Sequence, residues 1–361
     1  MNHKPLSEFT IINDYFYKLA KKKEALDLKD DAAVFNLPNQ QTVITVDSII
    51  EGRHFFPQDE PASVANKILG RNLSDLAAMG CKPKYWTLAI NFPTNSSLNP
   101  QWLQCFCKSI AKLQKKYNFY LIGGDTTFSH APLMLTVNAI GSLNNFDTPL
   151  KKSGAQIGDI ICVSGFIGDS YWGLKILQKI YLPKVDLDKE DKYNFLDNLS
   201  LKAKDYLINK YKYIYPQVEL GQLLLRYANA CTDLSDGLWS DLEKLCKFSC
   251  KVGVIEINLL KFSPYVQAIF NKNLKYKKEF LIQSLTGGDD YQLAFTVPKE
   301  KIASLREAVK DRGIFIQEIG IIIKSNSLTK KNGSLEGALL IYAENHELLV
   351  SEKKGFDHSL G

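Results

Sequence analysis

The sequence repeatedly places an aspartate beside an apolar run or a glycine turn. These aspartates stand in the segments KDDAAVF (Asp30, Asp31), ITVDSIIEGRHF (Asp47), NLSDLAAMG (Asp75), IGGDTT (Asp125), CTDLSDGL (Asp233, Asp236) and TGGDDYQL (Asp289, Asp290). A carboxylate is costly to bury unless it meets cations or hydrogen-bond donors. Hard divalent cations bind oxygen ligands, and Mg²⁺ with nucleotide phosphates is the commonest such arrangement. Taken together, the six segments predict a shared metal and phosphate centre.

Each aspartate also has a purely structural interpretation. Asp75 stands four residues after Arg71 and could form an ion pair on one helix face. Asp125 could form an Asx-turn, and Ser235 or Asp236 could cap the helix that follows. The pair in KDDAAVF could be a solvated turn. At any single position the structural interpretation is at least as good as the functional one.

Other catalytic classes lack their usual motifs. The sequence contains no GxxxxGK[ST], no strand-linked GxGxxG, no GxSxG and no HExxH. Seven cysteines without a CxxC pair predict reduced, mostly buried thiols in a cytoplasmic protein. Cys246 and Cys250 stand four residues apart on a predicted helix. With no second Cys or His pair nearby, core packing is favoured over a metal site.

The charge and hydropathy patterns argue against nucleic acid and membrane as partners. The net charge is +6, but the basic residues are spread along the chain and no nucleic-acid module is recognisable. No apolar run reaches the roughly 18 residues that a membrane span needs. No basic segment followed by an apolar one marks a signal peptide at the N-terminus.

In the first part of the chain, β-branched runs alternate with helical patterns. The predicted strands are QTVITVDSII, YWTLAINFP, LMLTVNAIGSL and FYLIGGDTT, the last ending in a glycine turn. The predicted helices are ASVANKILGRNLSDLAAMG and NPQWLQCFCKSIAKLQKKY. The apolar stripe of the first helix contains Ala65, Ile68, Leu69, Asn72, Leu73 and Leu76, and Gly80 is predicted to end this helix.

The second part also mixes both kinds of element. Its predicted strands are DIICVSG, KVGVIEINLL, YQLAFTVP and FIQEIGIII, and its predicted helices are DSYWGLKILQKI and GQLLLRYANA. The charged, tyrosine-rich segment 183–215 is predicted to be a helical or loop excursion. The segment 144–158 has no apolar period and marks a domain boundary. The sequence therefore predicts an α+β fold with a mixed sheet and helix domain (1–148) and a sandwich-like α/β domain (149–361).

Several segments together resemble those of thiamine-monophosphate kinases, within the superfamily of aminoimidazole-ribotide synthetase and selenophosphate synthetase. The matching segments are DDAAVF, VDSIIEGRHF, NLSDLAAMGCKP, LIGGDTT, SGAQIGDIICVSGFIGDSYWGL, DLSDGL, GGDDYQLAFTVP and KGFDH. They occur in family order over nearly the whole chain. NLSDLAAMG, DLSDGL and the GGDDY segment are specific in combination, whereas any one of them alone would be weak.

The resemblance implies a reaction, its co-substrate and an assembly. ATP would phosphorylate thiamine monophosphate to thiamine diphosphate by direct in-line transfer, with several Mg²⁺ ions held by aspartates. The N-terminal domains would pair their sheets in a homodimer, and the C-terminal domain would complete the cleft. The acceptor oxygen belongs to a phosphate that is already anionic at neutral pH, so no general base is expected.

The resemblance also assigns individual residues. The implied Mg²⁺ ligands are Asp31, Thr45, Val46 (through its carbonyl), Asp47, Asp75, Asp125, Asp233 and Asp236. The implied ATP contacts are Gly124, Asp125, Lys152 and Ser235. The implied contacts with thiamine monophosphate are His54, Asp289 and Lys353.

Four of these positions differ from the family pattern. Val46 replaces a hydroxyl residue, Lys152 replaces an arginine and loses its bidentate fork, Asp289 replaces a longer glutamate, and Lys353 replaces an aromatic residue. Because Lys353 replaces the aromatic residue among the acceptor contacts, other aromatic residues are candidates for stacking on the thiamine rings. These candidates are Trp172, Tyr171 and Tyr291.

Two other functions remain open on the sequence alone. A related enzyme could phosphorylate a carbonyl or amide oxygen of another small molecule. A non-catalytic nucleotide-binding module is the second alternative, although such a module would not need to keep all six aspartate segments.

Overall fold

The computed structural model of the protein describes residues 11–24, 39–94, 100–182, 191–324, 337–343, 345–351 and 355. Contacts divide the chain into two compact units, residues 1–76 with 81–148 and residues 77–80 with 149–361. Each unit contains one mixed sheet together with helices, so the predicted α+β fold is confirmed. None of the described helices has the length and apolar character needed to cross a lipid bilayer. Asp31 and Lys353 lie outside the described residues.

The first unit is built on a four-stranded sheet in the order β1–β4–β2–β3. Its elements are β1 (Gln40–Ile50), α1 (Pro61–Ala78), β2 (Lys82–Pro93), α2 (Pro100–Tyr117), β3 (Tyr120–Ser129) and β4 (Met134–Asn144). Strand β4 is antiparallel to both of its neighbours, whereas β3 runs parallel to β2. A parallel pair needs a crossover, and α2 provides it.

Helix α1 covers one face of this sheet with the stripe that the sequence predicts. All six stripe residues are fully buried, which confirms the predicted helix face. The helix ends at Ala78, and Gly80 follows with a φ of 76°. A left-handed residue just past a helix end is the usual role of glycine, because a side chain is strained there.

Strand β3 differs from its prediction, because it does not end at the two glycines. It continues through Gly123, Gly124 and Asp125 to Ser129 in register with β2. A side chain at Gly124 would place its Cβ 2.1 Å from the carbonyl oxygen of Leu88. The glycine therefore allows two strands to approach closely, and the expected turn is wrong.

The second unit is built on a six-stranded sheet in the order β10–β7–β9–β5–β8–β6. Its strands are β5 (Ile160–Ser164), β6 (Ala230–Asp233), β7 (Val252–Glu256), β8 (Leu293–Val297), β9 (Ile316–Ile323) and β10 (Leu339–Tyr342). Its α-helices are α3 (Asp169–Tyr181), α4 (Leu201–Lys212), α5 (Val218–Leu224), α6 (Leu238–Phe248), α7 (Pro264–Lys272), α8 (Lys277–Thr286) and α9 (Ile302–Lys310). All strand pairs are antiparallel except β10 with β7.

The described part of segment 183–215 is mainly helical. This is one of the two forms that the sequence predicted, a helical or a loop excursion. A 3₁₀ segment (Asp191–Asn198) leads to α4, whose N-terminus is capped by Ser200. The Ser200 hydroxyl oxygen accepts a hydrogen bond from the Ala203 N–H at 3.2 Å. Helix α4 packs against α3 so closely that a Cβ at Gly173 would lie 2.1 Å from the Leu207 carbonyl oxygen.

The predicted helix GQLLLRYANA is too long at its C-terminal end. Helix α5 starts at Val218 and stops at Leu224, and the chain turns toward the sheet. The N–H of Asn229 donates to the carbonyl oxygen of Thr296 at 2.9 Å, and β6 begins at Ala230. Sheet pairing with β8 therefore overrides the local helix preference of this segment.

We expect Gly173→Ala to lower the free energy of unfolding by about 1–3 kcal/mol, since α3 and α4 must separate to admit a methyl group. Urea denaturation measures this change. Gly123→Ala is the matched control, because its Cβ would meet no atom closer than 3.8 Å. An unchanged unfolding midpoint for Gly173→Ala would contradict the tight contact between the two helices.

Candidate active site

Three predicted ligands of the first unit meet on the helix-covered face of its sheet. Strand alternation places Thr45 and Asp47 on the same face of β1. The Thr45 hydroxyl donates to Asp75 Oδ2 at 2.6 Å. Arg71, one helical turn before Asp75 on α1, lies 3.5 Å from Asp47 Oδ1. Because both carboxylates have partners here, they are held in fixed positions without complete burial.

Two further predicted residues lie on the opposite face of the same sheet. Val46 is 58% exposed, and Asp125 is exposed on β3 in register with Ala89. Asp125 lies within a strand, so the Asx-turn interpretation is wrong. The predicted ligands of the first unit are therefore divided between the two faces of one sheet.

His54 is half-buried in the turn that follows β1. Its Nδ1 accepts a hydrogen bond from the Ile50 N–H at 3.0 Å. The Lys67 ammonium group donates to the His54 carbonyl oxygen at 2.9 Å. With Nδ1 acting as acceptor, the neutral ring carries its proton on Nε2. The side chain is thus oriented as a hydrogen-bond donor.

In the second unit, Asp233 is the last residue of β6, and Ser235 and Asp236 occupy the turn between β6 and α6. Asp233 is buried at the end of the strand. The N-cap of α6 is Gly237, and no side chain caps this helix. The interpretation of Ser235 or Asp236 as the cap is therefore wrong. Gly237 has a φ of 115°, and a Cβ there would lie 2.8 Å from the Thr286 carbonyl carbon.

Asp236 has two partners on α6 that the sequence analysis did not single out. Its N–H donates to Asp241 Oδ2 at 2.9 Å, and its carboxylate is paired with the Lys244 ammonium group. Lys244 also contacts Asp241 Oδ1 at 3.0 Å. The spacing of Asp241 and Lys244 along a helix could have indicated this pair.

The loop before β8 lies directly behind this turn. The Asp289 N–H donates to the Ser235 carbonyl oxygen at 2.9 Å. A Cβ at Gly288 would lie 2.4 Å from the same oxygen. On the strand side, the Lys151 carbonyl oxygen accepts from the Cys231 N–H at 3.1 Å, which brings the neighbouring Lys152 to β6. Ser235 and Asp289 are thus neighbours, and Lys152 lies beside β6.

Burial limits which of the three candidate aromatic side chains can stack on a ligand. Trp172 and Tyr291 are buried, with exposed fractions of 0% and 2%, so they are poor candidates. Tyr171 is partly exposed and packs on the loop, since a Cβ at Gly287 would lie 2.5 Å from its Cβ. Of the three candidates, Tyr171 is the one that keeps an accessible surface.

The proposed metal ligands fit Mg²⁺ by their chemistry, because all of them offer oxygen atoms. Within the described residues, no three His, Cys, Asp or Glu side chains form a group that could hold a metal ion. The predicted ligand set combines residues of both units with Asp31. The complete set therefore stays a prediction.

The cysteines of the described chain form no such site either. All seven are free, and five of them are buried. Cys246 lies in the core, where burial raises the pKa of its thiol to about 12. Core packing is therefore the role of Cys246, as predicted, whereas Cys250 is exposed.

Comparison with known proteins gives the family. The thiamine-monophosphate kinase of Buchnera aphidicola subsp. Schizaphis graminum is 35% identical over 356 residues, which are 98% of each chain. The chain belongs to the thiamine-monophosphate kinase family. The family profile for the N-terminal domain of AIR synthase related proteins matches residues 29–143, where the first-unit aspartates lie.

Solved structures of thiamine-monophosphate kinases have the same fold. The enzyme from Stenotrophomonas maltophilia K279a is 28% identical with a TM-score of 0.75, covering 94% of this chain and 97% of its own. The structure of AaThiL complexed with AMPPCP and TMP is 25% identical with a TM-score of 0.70, covering 99% of both chains.

Among the described residues of the second unit, three buried carboxyl groups have raised pKa values. Burial raises the pKa of Asp290 to about 8, and the neighbouring charge of Asp169 adds to this rise. Burial also raises the pKa of Asp169 and of Asp241. These carboxyl groups are therefore easier to protonate in the folded protein than in the unfolded chain.

We expect Asp290 to lower the free energy of unfolding as the pH rises from about 4 to about 8. An unfolded aspartate ionises near pH 4, whereas the folded protein keeps this proton until about pH 8. The folded state thus binds more protons within this window, and stability falls as the pH rises through it.

Urea midpoints measured across this pH range for the wild type and for Asp290→Asn test the expectation. The variant should lose less stability between the two ends of the window. Asp205→Asn, at an exposed position of α4, is the control and should keep the wild-type slope. Identical slopes for the wild type and Asp290→Asn would contradict the raised pKa.

Proposed function

We propose that the protein phosphorylates thiamine monophosphate to thiamine diphosphate with ATP as the phosphoryl donor. The observation that carries this proposal is the 35% identity to a thiamine-monophosphate kinase over 98% of both chains. The structure of AaThiL complexed with AMPPCP and TMP supports it, because that similarity also extends over nearly the whole chain. The proposal includes a reducing, cytoplasmic location, because the seven free cysteines favour such a location.

The main task of such an enzyme is to bring two anions together. ATP and thiamine monophosphate both carry phosphate groups that repel each other. Because the acceptor oxygen is already anionic, the chain needs groups that position and neutralise rather than a general base. This requirement agrees with a set of assigned residues that is rich in aspartate.

Residues of each unit are assigned to Mg²⁺ in this proposal. The residues assigned to this role are Asp31, Thr45, Val46, Asp47, Asp75, Asp125, Asp233 and Asp236. Bound Mg²⁺ would neutralise charge on the phosphates. In the described bonds, Asp47 and Asp236 are paired with Arg71 and Lys244, so these cations maintain the charge balance of the carboxylates.

The remaining assigned residues would orient the two substrates. Gly124, Lys152 and Ser235 are assigned to ATP, with Lys152 supplying positive charge. His54 is assigned to the acceptor, and its Nε2 proton suits a phosphate oxygen. Asp289 is assigned to the acceptor as well, and its loop contacts the Ser235 loop through a backbone hydrogen bond.

Purified protein with ATP, Mg²⁺ and thiamine monophosphate should form thiamine diphosphate, detected by chromatography. Asp47→Asn and Asp125→Asn should each lower kcat/KM by about 100-fold or more, because each removes an ion-binding charge. Chelation by EDTA should stop the reaction, and added Mg²⁺ should restore it.

Asp311→Asn, at an exposed position after α9, is the matched control and should keep full activity. Folded wild-type protein that forms no thiamine diphosphate would overturn the proposed function. Near-normal turnover by both aspartate variants would overturn the metal assignment alone.

We also propose that two copies of the chain pair through the sheet of the first unit. Strand β1 is an edge strand of this sheet in the described part of the chain. On the face away from α1 it exposes two apolar side chains, Ile44 at 67% and Val46 at 58%. Met134 of β4 is exposed on the same face. Neighbouring exposed apolar residues of this kind are typical of an interface.

Ile44→Glu should therefore shift the protein from dimer to monomer in sedimentation velocity, because the charge would be buried without a partner. Leu274→Glu, at a 73% exposed position of the second unit, is the control and should leave the dimer intact. A wild type that sediments as a monomer, or a dimeric Ile44→Glu variant, would contradict the proposed interface.

A further inference from the structure

The loop that carries Asp289 has an unusual backbone on both sides of Asp290. Asp289 has a φ of 69° and Tyr291 has a φ of 47°. Residues other than glycine seldom adopt this left-handed conformation, and each such residue costs free energy. The surrounding contacts must therefore hold this loop in place.

Two backbone hydrogen bonds connect the loop with the turn that follows β6. The Asp289 N–H donates to the Ser235 carbonyl oxygen at 2.9 Å, and the Tyr291 N–H donates to the Leu234 carbonyl oxygen at 2.8 Å. The backbone of both flanking residues is thus bonded to the turn that contains Ser235, which is assigned to ATP. These bonds fix the two ends of the short segment but leave its centre to another contact.

The side chain of Asp290 supplies that central contact. Its Oδ2 accepts the Gly168 N–H at 2.7 Å, and its Oδ1 accepts the Ser170 N–H at 3.3 Å. Gly168 is the N-cap of α3, and no side chain of its own segment caps this helix. Asp290 therefore caps α3 from a distant loop, using N–H groups that have no partner within the helix.

Helix α3 is a firm support for this contact. The Trp172 Nε1–H donates to the Ser284 hydroxyl at 2.9 Å, which joins α3 to α8 just before the loop. Gly173 packs directly on α4 at Leu207. The point where Asp290 is anchored is thus held by two other helices.

We propose that Asp290 is a positioning residue that fixes Asp289 for the acceptor substrate. Asp289 would touch thiamine monophosphate, while Asp290 would hold the left-handed backbone that presents it. The kinetic test of this positioning role rests on the proposed function, whereas the order of the loop can be measured without any activity. The Ser235 turn has its own support on α6 through the Asp236–Asp241 bond, so ATP binding should depend less on Asp290.

Steady-state kinetics of Asp290→Asn and Asp290→Ala test the proposal. Asparagine keeps one acceptor oxygen and replaces the other with a donor, whereas alanine removes both. We expect the KM for thiamine monophosphate to rise by about tenfold or more, with the larger rise for alanine. The KM for ATP should change by no more than about twofold.

Asp169→Asn is the matched control. Asp169 is also a buried carboxyl group, at the start of α3, but it accepts from Tyr206 and Ser263 instead of holding the loop. It should lower stability without a selective rise in the KM for thiamine monophosphate. Equal effects of Asp169→Asn and Asp290→Asn on both KM values would mean that Asp290 has only a structural role, and would overturn the proposal.

Amide hydrogen exchange of the loop supplies a readout that needs no activity. In the wild type without ligand, the Asp289 and Tyr291 amides should be protected, and addition of thiamine monophosphate should change their protection little. In folded Asp290→Asn protein the same amides should exchange at least about tenfold faster.

Unprotected amides in the ligand-free wild type would overturn the proposal, as would unchanged exchange in the variant. If the wild type shows protected amides but makes no thiamine diphosphate, the proposed function fails while the role of Asp290 in ordering the loop stands.

Discussion

A carboxyl group that leaves water needs hydrogen-bond donors or cations around it, and this requirement governs both units. The structure meets it in two ways. Asp47 and Asp236 have long cationic side chains as partners, Arg71 and Lys244. Asp290 instead receives backbone N–H groups from the start of α3. A flexible cation can give way when another positive charge arrives, whereas a backbone amide cannot move without its helix. The first kind of partner suits a binding carboxylate, and the second suits one that determines shape.

Close approach of the backbone is the second condition for the site. Gly124 lets β3 lie against Leu88, and Gly288 lets the loop before β8 lie against Ser235. In both places a methyl group would overlap a carbonyl oxygen. These glycines bring an aspartate next to them into position, Asp125 in one case and Asp289 in the other. These two places where glycine precedes aspartate in the sequence therefore share one physical arrangement. The glycine has no side chain, so the backbone can approach closely and the aspartate can reach the site.

The sequence predicted best what depends on local periodicity. The stripe of α1 was correct because 18 residues repeat one apolar face over five turns. The same local reasoning failed at β3, where two glycines indicated a turn but pairing with β2 continues through them. It also failed at the end of α5, where the Asn229 N–H bonds to Thr296 on a distant strand. Alternation along β1 separates Val46 from Thr45 and Asp47, but the face on which Asp125 lies depends on a strand register that the sequence does not reveal. The cap on α3 could not be predicted, because Asp290 is 122 residues from Gly168.

That separation has a consequence for how the chain is made. A ribosome synthesises the chain from its N-terminus, so α3 emerges long before the residue that caps it. Strand β6 is an edge strand whose partner among the described elements is β8, which also emerges later. Contacts between distant residues form slowly, because a long loop must first close. The turn with Asp233 and Asp236 therefore acquires its final shape only after residues up to about 297 have left the ribosome. A nascent chain that stops earlier lacks β8 and therefore lacks the order of this turn.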